Sequence, residues 1–283
     1  MSFDVPEKPQ WCPGCGNFFI LTALKQALQE LNKKTSETVI VSGVGCGSKI
    51  PHYIRAYGYE GIHGRPLPLA EGIKLANPHL LVIAIGGDGD GLSEGTQHFV
   101  HSPRRNHDVN YFIQDNQLYA LTTGQVSPTS MKGMKTKTTP YGNTVEPIKQ
   151  IPMMLLLGAS FVASAFCGDI PHMKEVFKKS IQHNGFSFVN IYQPCVTWNR
   201  LNTYDWWRER VYRLEDANHD VADWQKAFEK AMEPYESNFT KFPIGVFYQV
   251  EKPSLYESKE WARTNQPVKV ERQDISEMLK EFM

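Results

Sequence analysis

The chain has 283 residues, of which 41% are hydrophobic and 21% are charged, values typical of a globular protein with a substantial core. Its 30 basic and 30 acidic residues cancel, so no net charge favours nucleic acid or an anionic membrane as a partner. The sequence contains neither an apolar run of bilayer length nor a signal peptide, and we therefore expect a cytoplasmic protein. Five cysteines in such a chain favour metal, cluster or free-thiol roles over a disulfide framework.

Apolar runs of strand length alternate with amphipathic segments of helical length along the chain. The predicted strands are 38–42, 81–85, 109–114, 159–167, 186–192 and 244–250. The predicted helices are 18–31, 69–75, 94–101, 171–184 and 221–232. This alternation predicts an α/β fold built on a doubly wound parallel sheet. Residues 119–143 are predicted to form a functional loop, because ordered loops of that length are uncommon.

Polar residues follow two of the predicted strands at the point where each strand ends. The strand at 81–85 runs into a glycine-rich turn that contains Asp88. The strand at 109–114 is followed by Asp115 and Asn116. Because parallel strands present their carboxyl ends at one sheet edge, where open α/β folds bind ligands, we expect these side chains to meet. Oxygen ligands beside glycines suit a divalent cation that holds a diphosphate, although a glycine turn can also end a strand without binding anything.

Four cysteines lie in predicted loops, namely Cys12, Cys15, Cys46 and Cys195, whereas Cys167 ends an apolar strand and is interpreted as a buried thiol. A thioredoxin-like pair at Cys12 and Cys15 should follow a strand, yet only eleven residues precede it and two are prolines. A structural zinc usually binds two closely spaced pairs of ligands. A [4Fe–4S] cluster accepts more varied spacing, and the turn that contains Cys46 lies at the predicted diphosphate edge. We therefore favour a cluster that exchanges electrons with an organic cofactor, with zinc as the alternative.

The motifs together resemble one enzyme family. A GDG segment centred on Asp88 and followed by Asp115-Asn116 is similar to the thiamine diphosphate motif, in which GDG is followed by NN. With it, the segments CPGCG, GVGCGSK, HGRPLPLAEGIKLANP and PCVTWN resemble, in unbroken order over roughly residues 10–200, the β subunit of the 2-oxoacid:ferredoxin oxidoreductases. The 2-oxoglutarate type is the most similar. The resemblance implies coenzyme A-dependent oxidative decarboxylation of 2-oxoglutarate to succinyl-CoA, with pyruvate or another 2-oxoacid as the alternative substrate.

The resemblance also implies three cofactors and the residues that hold them. Magnesium is expected to bind Asp88, Asn116 and the backbone carbonyl of Leu118. The [4Fe–4S] cluster is expected to bind Cys12, Cys15, Cys46 and Cys195. Thiamine diphosphate is expected to contact Val44, Gly45, Cys46, Gly47, His63, Gly89, Asp90, Ala120 and Leu121. His63 is expected to donate a hydrogen bond to the diphosphate rather than to be a satisfied loop histidine, and a helix cap is the alternative role for Asp90.

Lysines at two places in the sequence suggest anion binding. Lys49 follows the expected cluster ligand Cys46 by three residues, and our hypothesis is that it binds a carboxylate of the 2-oxoacid. We accordingly assign Lys49 and His63 to the catalytic group. The lysines of the long loop are either solvated charges or a docking surface for an acidic ferredoxin, and both interpretations stay open; these are Lys132, Lys135 and Lys137.

The position of the metal motif predicts an incomplete active site. Only about 80 residues precede Asp88, too few for a second α/β domain of ordinary size. The resemblance implies an α subunit that supplies the pyrimidine domain and the activating glutamate, with coenzyme A and a 2-oxoacid as substrates and ferredoxin as electron acceptor. We expect residues 1–200 to form the cofactor domain and 201–283 an extension packed on it or on the partner. A zinc- or cluster-stabilised binding module without catalysis is the second alternative.

Overall fold

The computed structural model describes residues 2–252, in which strands and helices alternate. The strands are β1 (Thr38–Ser42), β2 (Tyr57–Glu60), β3 (Leu81–Gly87), β4 (Asn110–Asp115), β5 (Leu118–Tyr119), β6 (Gln125–Val126), β7 (Phe161–Phe166), β8 (Ser187–Tyr192), β9 (Val211–Arg213) and β10 (Phe242–Gln249). The helices are α1 (Gly16–Glu30), α2 (Pro66–Ala76), α3 (Thr96–Arg105), α4 (Gln150–Leu156), α5 (Ile170–Gln182), α6 (Tyr204–Arg208) and α7 (Trp224–Glu236).

Eight strands form one sheet in the order β2-β1-β3-β4-β8-β7-β10-β9. Strand β10 runs antiparallel to β7, and every other neighbouring pair in this sheet is parallel. Every residue of β1, β4, β7 and β8 is buried, as expected for parallel strands covered on both faces. The helices flank this sheet, so the predicted α/β fold with a doubly wound, mostly parallel sheet is confirmed.

The strand order reverses at β1, which decides where a ligand can bind. Strand β2 pairs with one side of β1 and β3 with the other, so the connections after β1 and β3 diverge at the carboxyl edge of the sheet. Open α/β sheets bind their ligands in the crevice at such a reversal. The crevice here lies between the glycine-rich turn after β1 and the glycine-rich segment after β3.

The sequence predicted most elements and missed the short or exposed ones. Strand β1 has the predicted bounds, and the other five predicted strands are present with ends shifted by at most two residues. Strand β2 was missed because all four of its residues are exposed and it lies at the sheet edge. Helix α3 begins at Thr96 instead of residue 94, because Asp90–Glu94 forms a short π-helix. Its end at Arg105 is set by Asn106 in the left-handed conformation.

The chain beyond residue 200 continues the same sheet. Strands β9 and β10 occupy its end, and α7 packs against β10. The predicted long loop contains a small hairpin of its own, formed by β5 and β6. Residues 253–283 of the predicted extension lie outside the described residues. Among the helices of residues 2–252, none has the length and apolar character needed to cross a bilayer.

Candidate functional site

A buried carboxylate joins the two glycine-rich turns at the crevice. Asp90 Oδ1 accepts hydrogen bonds from the backbone N–H of Val44 at 3.0 Å and of Gly64 at 2.7 Å. A Cβ atom at Gly43 would lie 2.0 Å from Asp90 Oδ2, so only glycine leaves room for the carboxylate there. Asp90 makes no helix-capping hydrogen bond, and that alternative is therefore wrong. Its carboxylate instead fixes the turn after β1 and the loop that carries His63 against the end of β3.

His63 lies beside the same carboxylate. Its Nδ1 is 2.7 Å from Asp90 Oδ1 and 3.6 Å from Glu94 Oε2, although the contact with Asp90 is off the axis of a well-directed hydrogen bond. The close approach of the carboxylate nevertheless orients the ring. The ring meets Tyr119 edge to face, with centroids 6.3 Å apart. Its Nε2 has no protein partner within residues 2–252, which leaves one ring nitrogen available to a ligand.

Asp88 supplies an unsatisfied oxygen to the crevice. The side chain is fully buried, and its Oδ2 accepts hydrogen bonds from the hydroxyls of Ser127 and Thr129, the latter at 2.7 Å. Its Oδ1 is buried without any hydrogen-bond partner in the described residues. Burial raises the pKa of Asp88 to about 6, against the opposing effect of the two hydroxyls. A buried carboxylate oxygen without a partner is costly unless a cation or a proton satisfies it.

Asp115, at the end of the neighbouring strand β4, has contacts on both of its carboxylate oxygens, unlike Asp88. Its Oδ1 contacts the Thr129 hydroxyl at 2.8 Å, and its Oδ2 accepts from Gln150 Nε2 at 2.9 Å and Asn190 Nδ2 at 3.2 Å. Burial and the nearby charge of Asp88 raise the pKa of Asp115 to about 7. The Thr129 hydroxyl has one hydrogen and can donate it to only one of the two carboxylates. Its contact with the other one therefore requires a proton on a carboxyl group. Asp115 therefore belongs to the scaffold beneath the site.

The segment after Asp115 turns sharply and forms one wall of the crevice. Asn116 Oδ1 accepts from the backbone N–H of Leu118 at 2.9 Å, and Gln117 between them has φ of 61°. The β5–β6 hairpin begins at Leu118, opposite Val126. This turn brings the backbone of β5 next to the carboxamide of Asn116.

One pocket collects every residue that was expected to hold thiamine diphosphate or magnesium. It is lined by Val44, Gly45, Cys46, Gly47, His63, Asp88, Gly89, Asp90, Asn116, Leu118, Ala120 and Leu121. The sequence did not identify three further lining residues, Gln114, Tyr119 and Thr122, nor the supporting hydroxyls of Ser127 and Thr129. The two hydroxyls reach Asp88 from the far end of the long loop, and no spacing in the sequence signals that contact.

The first cysteine pair lies on a tight turn that its own sequence specifies. The N–H of Cys15 donates to the carbonyl of Cys12 at 3.0 Å, and Gly14 has φ of +78°. Proline at the second position and a positive φ at the third are features of a type II turn, which Pro13 and Gly14 provide. Helix α1 begins directly afterwards, at Gly16.

All four loop cysteines line a second cavity of about 270 Å³; they are Cys12, Cys15, Cys46 and Cys195. This cavity shares a wall with the first pocket, since both are lined by Cys46, Asn116, Ala120 and Leu121. Burial, and then the nearby thiols, raise the pKa of Cys15 to about 11, so the free thiol is protonated at neutral pH. Within residues 2–252, no three His, Cys, Asp or Glu side chains are arranged to hold a single metal ion.

Cys167 and Lys49 differ in their access to this cavity. Cys167 is fully buried at the end of β7, where its Sγ donates to the Tyr204 hydroxyl at 3.8 Å, so its interpretation as a buried thiol is confirmed. Lys49 lies in the 3₁₀-helix Gly47–Tyr53, is half-buried and lines the cysteine cavity. Its ammonium has neither an ion pair nor a hydrogen bond with any described residue.

Two amide side chains that the sequence did not identify connect these loops. Gln193 Nε2 donates to Asn17 Oδ1 at 2.8 Å and lies 3.6 Å from Cys15 Sγ. Asn199 Nδ2 donates to the carbonyl of Asn116 at 3.3 Å and thereby joins the loop that carries Cys195 to the end of β4. Neither contact follows from a local motif, because each joins residues far apart in the sequence.

Comparisons with known families agree with the fold. A family model described as "Thiamine pyrophosphate enzyme, C-terminal TPP binding domain" matches residues 43–191. A second family model, for the C-terminal part of the pyruvate ferredoxin oxidoreductase β chain, matches residues 195–262. The first match spans the turn after β1 and the strands that carry Asp88 and Asn116.

Curated relatives and a solved structure are similar over most of the chain. The β subunit of the 2-oxoacid:ferredoxin oxidoreductase of Saccharolobus solfataricus is 45% identical over 261 residues, covering 88% of this chain and 84% of the relative. The 2-oxoglutarate synthase subunit KorB of Methanocaldococcus jannaschii is 35% identical over 248 residues, covering 87% and 90%. A structure of the 2-oxoglutarate:ferredoxin oxidoreductase from Magnetococcus marinus, with 2-oxoglutarate, coenzyme A and succinyl-CoA bound, superposes with a TM-score of 0.88 at 35% identity, covering 99% and 94%. The chain therefore belongs to the family of 2-oxoacid:ferredoxin oxidoreductase β subunits and contains their thiamine diphosphate-binding domain.

Proposed function

We propose that this chain is the β subunit of a 2-oxoglutarate:ferredoxin oxidoreductase, which converts 2-oxoglutarate and coenzyme A to succinyl-CoA and CO₂. The observation that carries the proposal is the wall shared by the two cavities, to which Cys46 and Asn116 both contribute. A centre bound by the cysteines would lie next to an organic cofactor bound at Asp88. That arrangement suits the transfer of electrons from the cofactor to a cluster and onward to ferredoxin.

The crevice fits a magnesium ion that holds a diphosphate. Asp88 Oδ1 is a buried oxygen without a hydrogen-bond partner among the described residues, and Asn116 and the backbone of Leu118 line the same pocket. Hard oxygen donors of this kind suit Mg²⁺. We propose Asp88, Asn116 and the Leu118 carbonyl as its ligands. Backbone groups of Val44, Gly45 and Gly47 would then approach the diphosphate at the end of β1.

The cysteine cavity fits a [4Fe–4S] cluster better than a single zinc ion. It encloses about 270 Å³, whereas a cavity for one water-sized particle needs only about 10–15 Å³. A zinc ion also needs thiolates gathered around one point at about 2.3 Å, whereas in a cluster each thiolate binds a different iron. We therefore propose that the cluster binds Cys12, Cys15, Cys46 and Cys195.

The side chains of this protein would bind and orient the substrate and the cofactor. When bound, thiamine diphosphate supplies the chemistry that stabilises a carbanion. His63, oriented by the charge of Asp90, would donate a hydrogen bond from Nε2 to the diphosphate. Lys49, which lines the cysteine cavity and whose ammonium has no ion pair or hydrogen bond with the described residues, would bind a substrate carboxylate and so orient the keto carbon. Ala120 and Leu121, which line both cavities, would exclude water between the two centres.

The pocket is too small to enclose the whole cofactor, which supports the need for a partner chain. Its volume is about 80 Å³, well below the 300–1,000 Å³ or so that encloses an organic ligand of this class. We propose that an α subunit supplies the pyrimidine domain and the activating glutamate. Residues 1–200 would form the cofactor domain, and residues 201–252 would extend its sheet.

Anaerobic purification with the partner chain tests the proposal. The complex should contain iron and thiamine diphosphate and should reduce a dye only when both 2-oxoglutarate and coenzyme A are present. Colourless protein without iron or thiamine would contradict it and would favour a binding module. Faster turnover with pyruvate would assign the chain to the alternative substrate.

Lys49→Ala tests the substrate assignment separately. The KM for 2-oxoglutarate should rise about tenfold or more, because a charge-assisted pair to the carboxylate is lost, while iron and thiamine content stay unchanged. Lys49→Arg is the matched control, since it retains the charge and should recover part of the affinity. Unchanged kinetics in the alanine variant would remove Lys49 from the site.

A further inference from the structure

Glu94 lies outside the diphosphate pocket around Asp88, yet its carboxylate contacts two residues that line this pocket. The Tyr119 hydroxyl donates to the carboxylate and is 3.3 Å from each of its two oxygens, which share the hydroxyl hydrogen. Glu94 Oε2 is also 3.6 Å from His63 Nδ1. Tyr119 belongs to the β5–β6 hairpin and His63 to the loop before α2. One carboxylate therefore joins two separate segments at the rim of the pocket.

A π-helix places Glu94 at this rim. The N–H of Gly95 donates to the carbonyl of Asp90 at 2.9 Å, so the turn between them is wider than an α-helical turn. Both acidic side chains of the turn approach the same ring nitrogen, because Asp90 Oδ1 lies 2.7 Å from His63 Nδ1. Single π-helical turns of this kind occur frequently at functional sites.

The backbone of Glu94 is fixed directly on the His63 loop. Gly64 has φ of +75°, and a Cβ atom there would lie 2.4 Å from the carbonyl carbon of Glu94. Only glycine therefore allows the loop and the π-helix to approach so closely. Arg65 Nη1 also donates to the Glu94 carbonyl at 2.8 Å. With its backbone held in this way, Glu94 has its carboxylate available to bind the hairpin.

The Tyr119 ring forms the wall of the pocket that Glu94 fixes. A Cβ atom at Gly89 would lie 2.3 Å from this ring, so the ring rests directly on the segment that follows β3. The His63 ring meets it edge to face. Contacts with a glycine and with a ring edge do not fix the direction of the tyrosine. The hydrogen bond from its hydroxyl to Glu94 does, because hydrogen bonds are directional.

We propose that Glu94 is a positioning residue for the cofactor, and that its contact with Tyr119 is a latch that holds the β5–β6 hairpin against the His63 loop. The inference rests on the proposed function, because it requires thiamine diphosphate in this pocket. The latch would keep Tyr119 and His63 in place before the cofactor binds and so reduce the ordering cost of binding. The Glu94 side chain is 40% exposed, so water competes with the latch and its effect should be several-fold.

Calorimetric titration of thiamine diphosphate into the αβ complex, first depleted of cofactor and then supplied with magnesium, tests the proposal. Tyr119→Phe removes only the hydroxyl, and both it and Glu94→Ala should raise the Kd about three- to tenfold. The double variant should bind no more weakly than Glu94→Ala, because both substitutions break the same contact. Glu94→Gln keeps an acceptor for the hydroxyl, and its Kd should stay within about twofold of that of the unaltered complex.

Hydrogen exchange separates positioning from a general loss of stability. The backbone amides of residues 118–126 should exchange faster in Tyr119→Phe and Glu94→Ala, whereas the Tm of the complex should not change. At saturating thiamine diphosphate, the KM for the 2-oxoacid should also stay unchanged. Tyr57→Phe is the matched control, because Tyr57 is exposed in the edge strand β2 and its hydroxyl has no hydrogen bond among the described residues. It should alter neither the Kd nor the exchange.

Other results would overturn the proposal. An unchanged Kd in both single variants removes the latch from cofactor binding, and additive effects in the double variant show that the two residues act through different contacts. A lower Kd in both Glu94 variants would mean that the carboxylate repels the diphosphate. A lower Tm together with a higher Kd would assign Glu94 to stability alone. Absence of thiamine diphosphate binding in the unaltered complex would instead refute the proposed function.

Discussion

The diphosphate pocket and the cysteine cavity share a wall, yet they are stabilised in different ways. The pocket is organised around Asp88 and Asp90, which follow one buried strand and are held by hydroxyls and backbone amides. The cavity is formed by loops whose links are few, such as Trp11 Nε1 to the carbonyl of Cys46 at 2.7 Å and Tyr204 to the carbonyl of Gly14 at 3.1 Å. Cys12 itself is exposed.

This contrast indicates that the diphosphate pocket is preformed, whereas the conformation of the cysteine loops depends more on the group that they bind. Protonated thiols must release their protons when they bind a cluster. Binding of the cluster is therefore coupled to ordering of the loops that carry the cysteines. Four sets of variants test the contrast, in order of decreasing expected effect.

Asp90→Ala should have the largest effect, because Asp90 joins two turns to β3. Its removal leaves the part-buried N–H of Val44 and the buried N–H of Gly64 without an acceptor, so the free energy of unfolding should fall by about 3 kcal/mol. Thiamine diphosphate binding should be lost with it. Chemical denaturation and calorimetric titration measure the two effects. Asp90→Asn is the control, since its carbonyl oxygen can still accept both bonds, and equal stability of the alanine variant would show that the pocket is not preformed.

Asp88→Asn and Asp115→Leu form a pair that should separate ligand binding from stability. In Asp88→Asn the carboxamide oxygen can accept from Ser127 and Thr129, so stability should be unchanged or higher while magnesium and thiamine diphosphate bind about 100-fold more weakly. In Asp115→Leu the amide groups of Gln150 and Asn190 lose their acceptor, which should lower the free energy of unfolding by about 1–3 kcal/mol. Denaturation curves with binding isotherms measure both, and the reverse pattern would contradict our assignment of the two carboxylates.

Gln193→Leu should weaken the cysteine site and spare the pocket. It removes the buried donor that lies 3.6 Å from Cys15 Sγ, and loss of a partner that orients a metal ligand typically costs about 10–100-fold in metal affinity. Iron content and the reduction midpoint followed by electron paramagnetic resonance should both change, whereas thiamine diphosphate affinity should stay close to the unaltered value. A parallel loss of thiamine diphosphate binding would mean that the two sites are not independent.

Tyr204→Phe should give the smallest effect. The hydroxyl donates to the Gly14 carbonyl at the centre of the Cys12–Cys15 turn, and one such hydrogen bond contributes about 0.5–1.5 kcal/mol. We expect faster loss of iron in the presence of a chelator and unchanged stability of the pocket. Thr203→Ala is a useful comparison, because Thr203 caps α6 without touching the turn. Equal rates of iron loss in both variants would show that α6 as a whole, and not this hydrogen bond, supports the cysteines.

Much of the fold could be predicted because its signals are local. The buried strands appear as apolar runs, and the turn at Pro13-Gly14 is specified by the backbone preferences of its own residues. Strand β2 could not be predicted, since its exposed residues have no apolar pattern and its pairing with β1 depends on the sheet around it. The same limit explains why Ser127, Thr129 and Gln193 were missed.

The sequence by itself determined the chemistry that is available at the carboxyl edge: carboxylates and an amide after two strands, glycines around them, and four cysteines in loops. Only the tertiary structure decided how these groups are used. Asp88 keeps an oxygen free while Asp115 does not, because Gln150 and Asn190 approach one carboxylate and not the other. Asp90 holds Val44 and Gly64, a role that its sequence position did not indicate. The physical reason is the same in each case. A side chain's type is local information, but its partners depend on which distant segments the sheet brings within hydrogen-bonding distance.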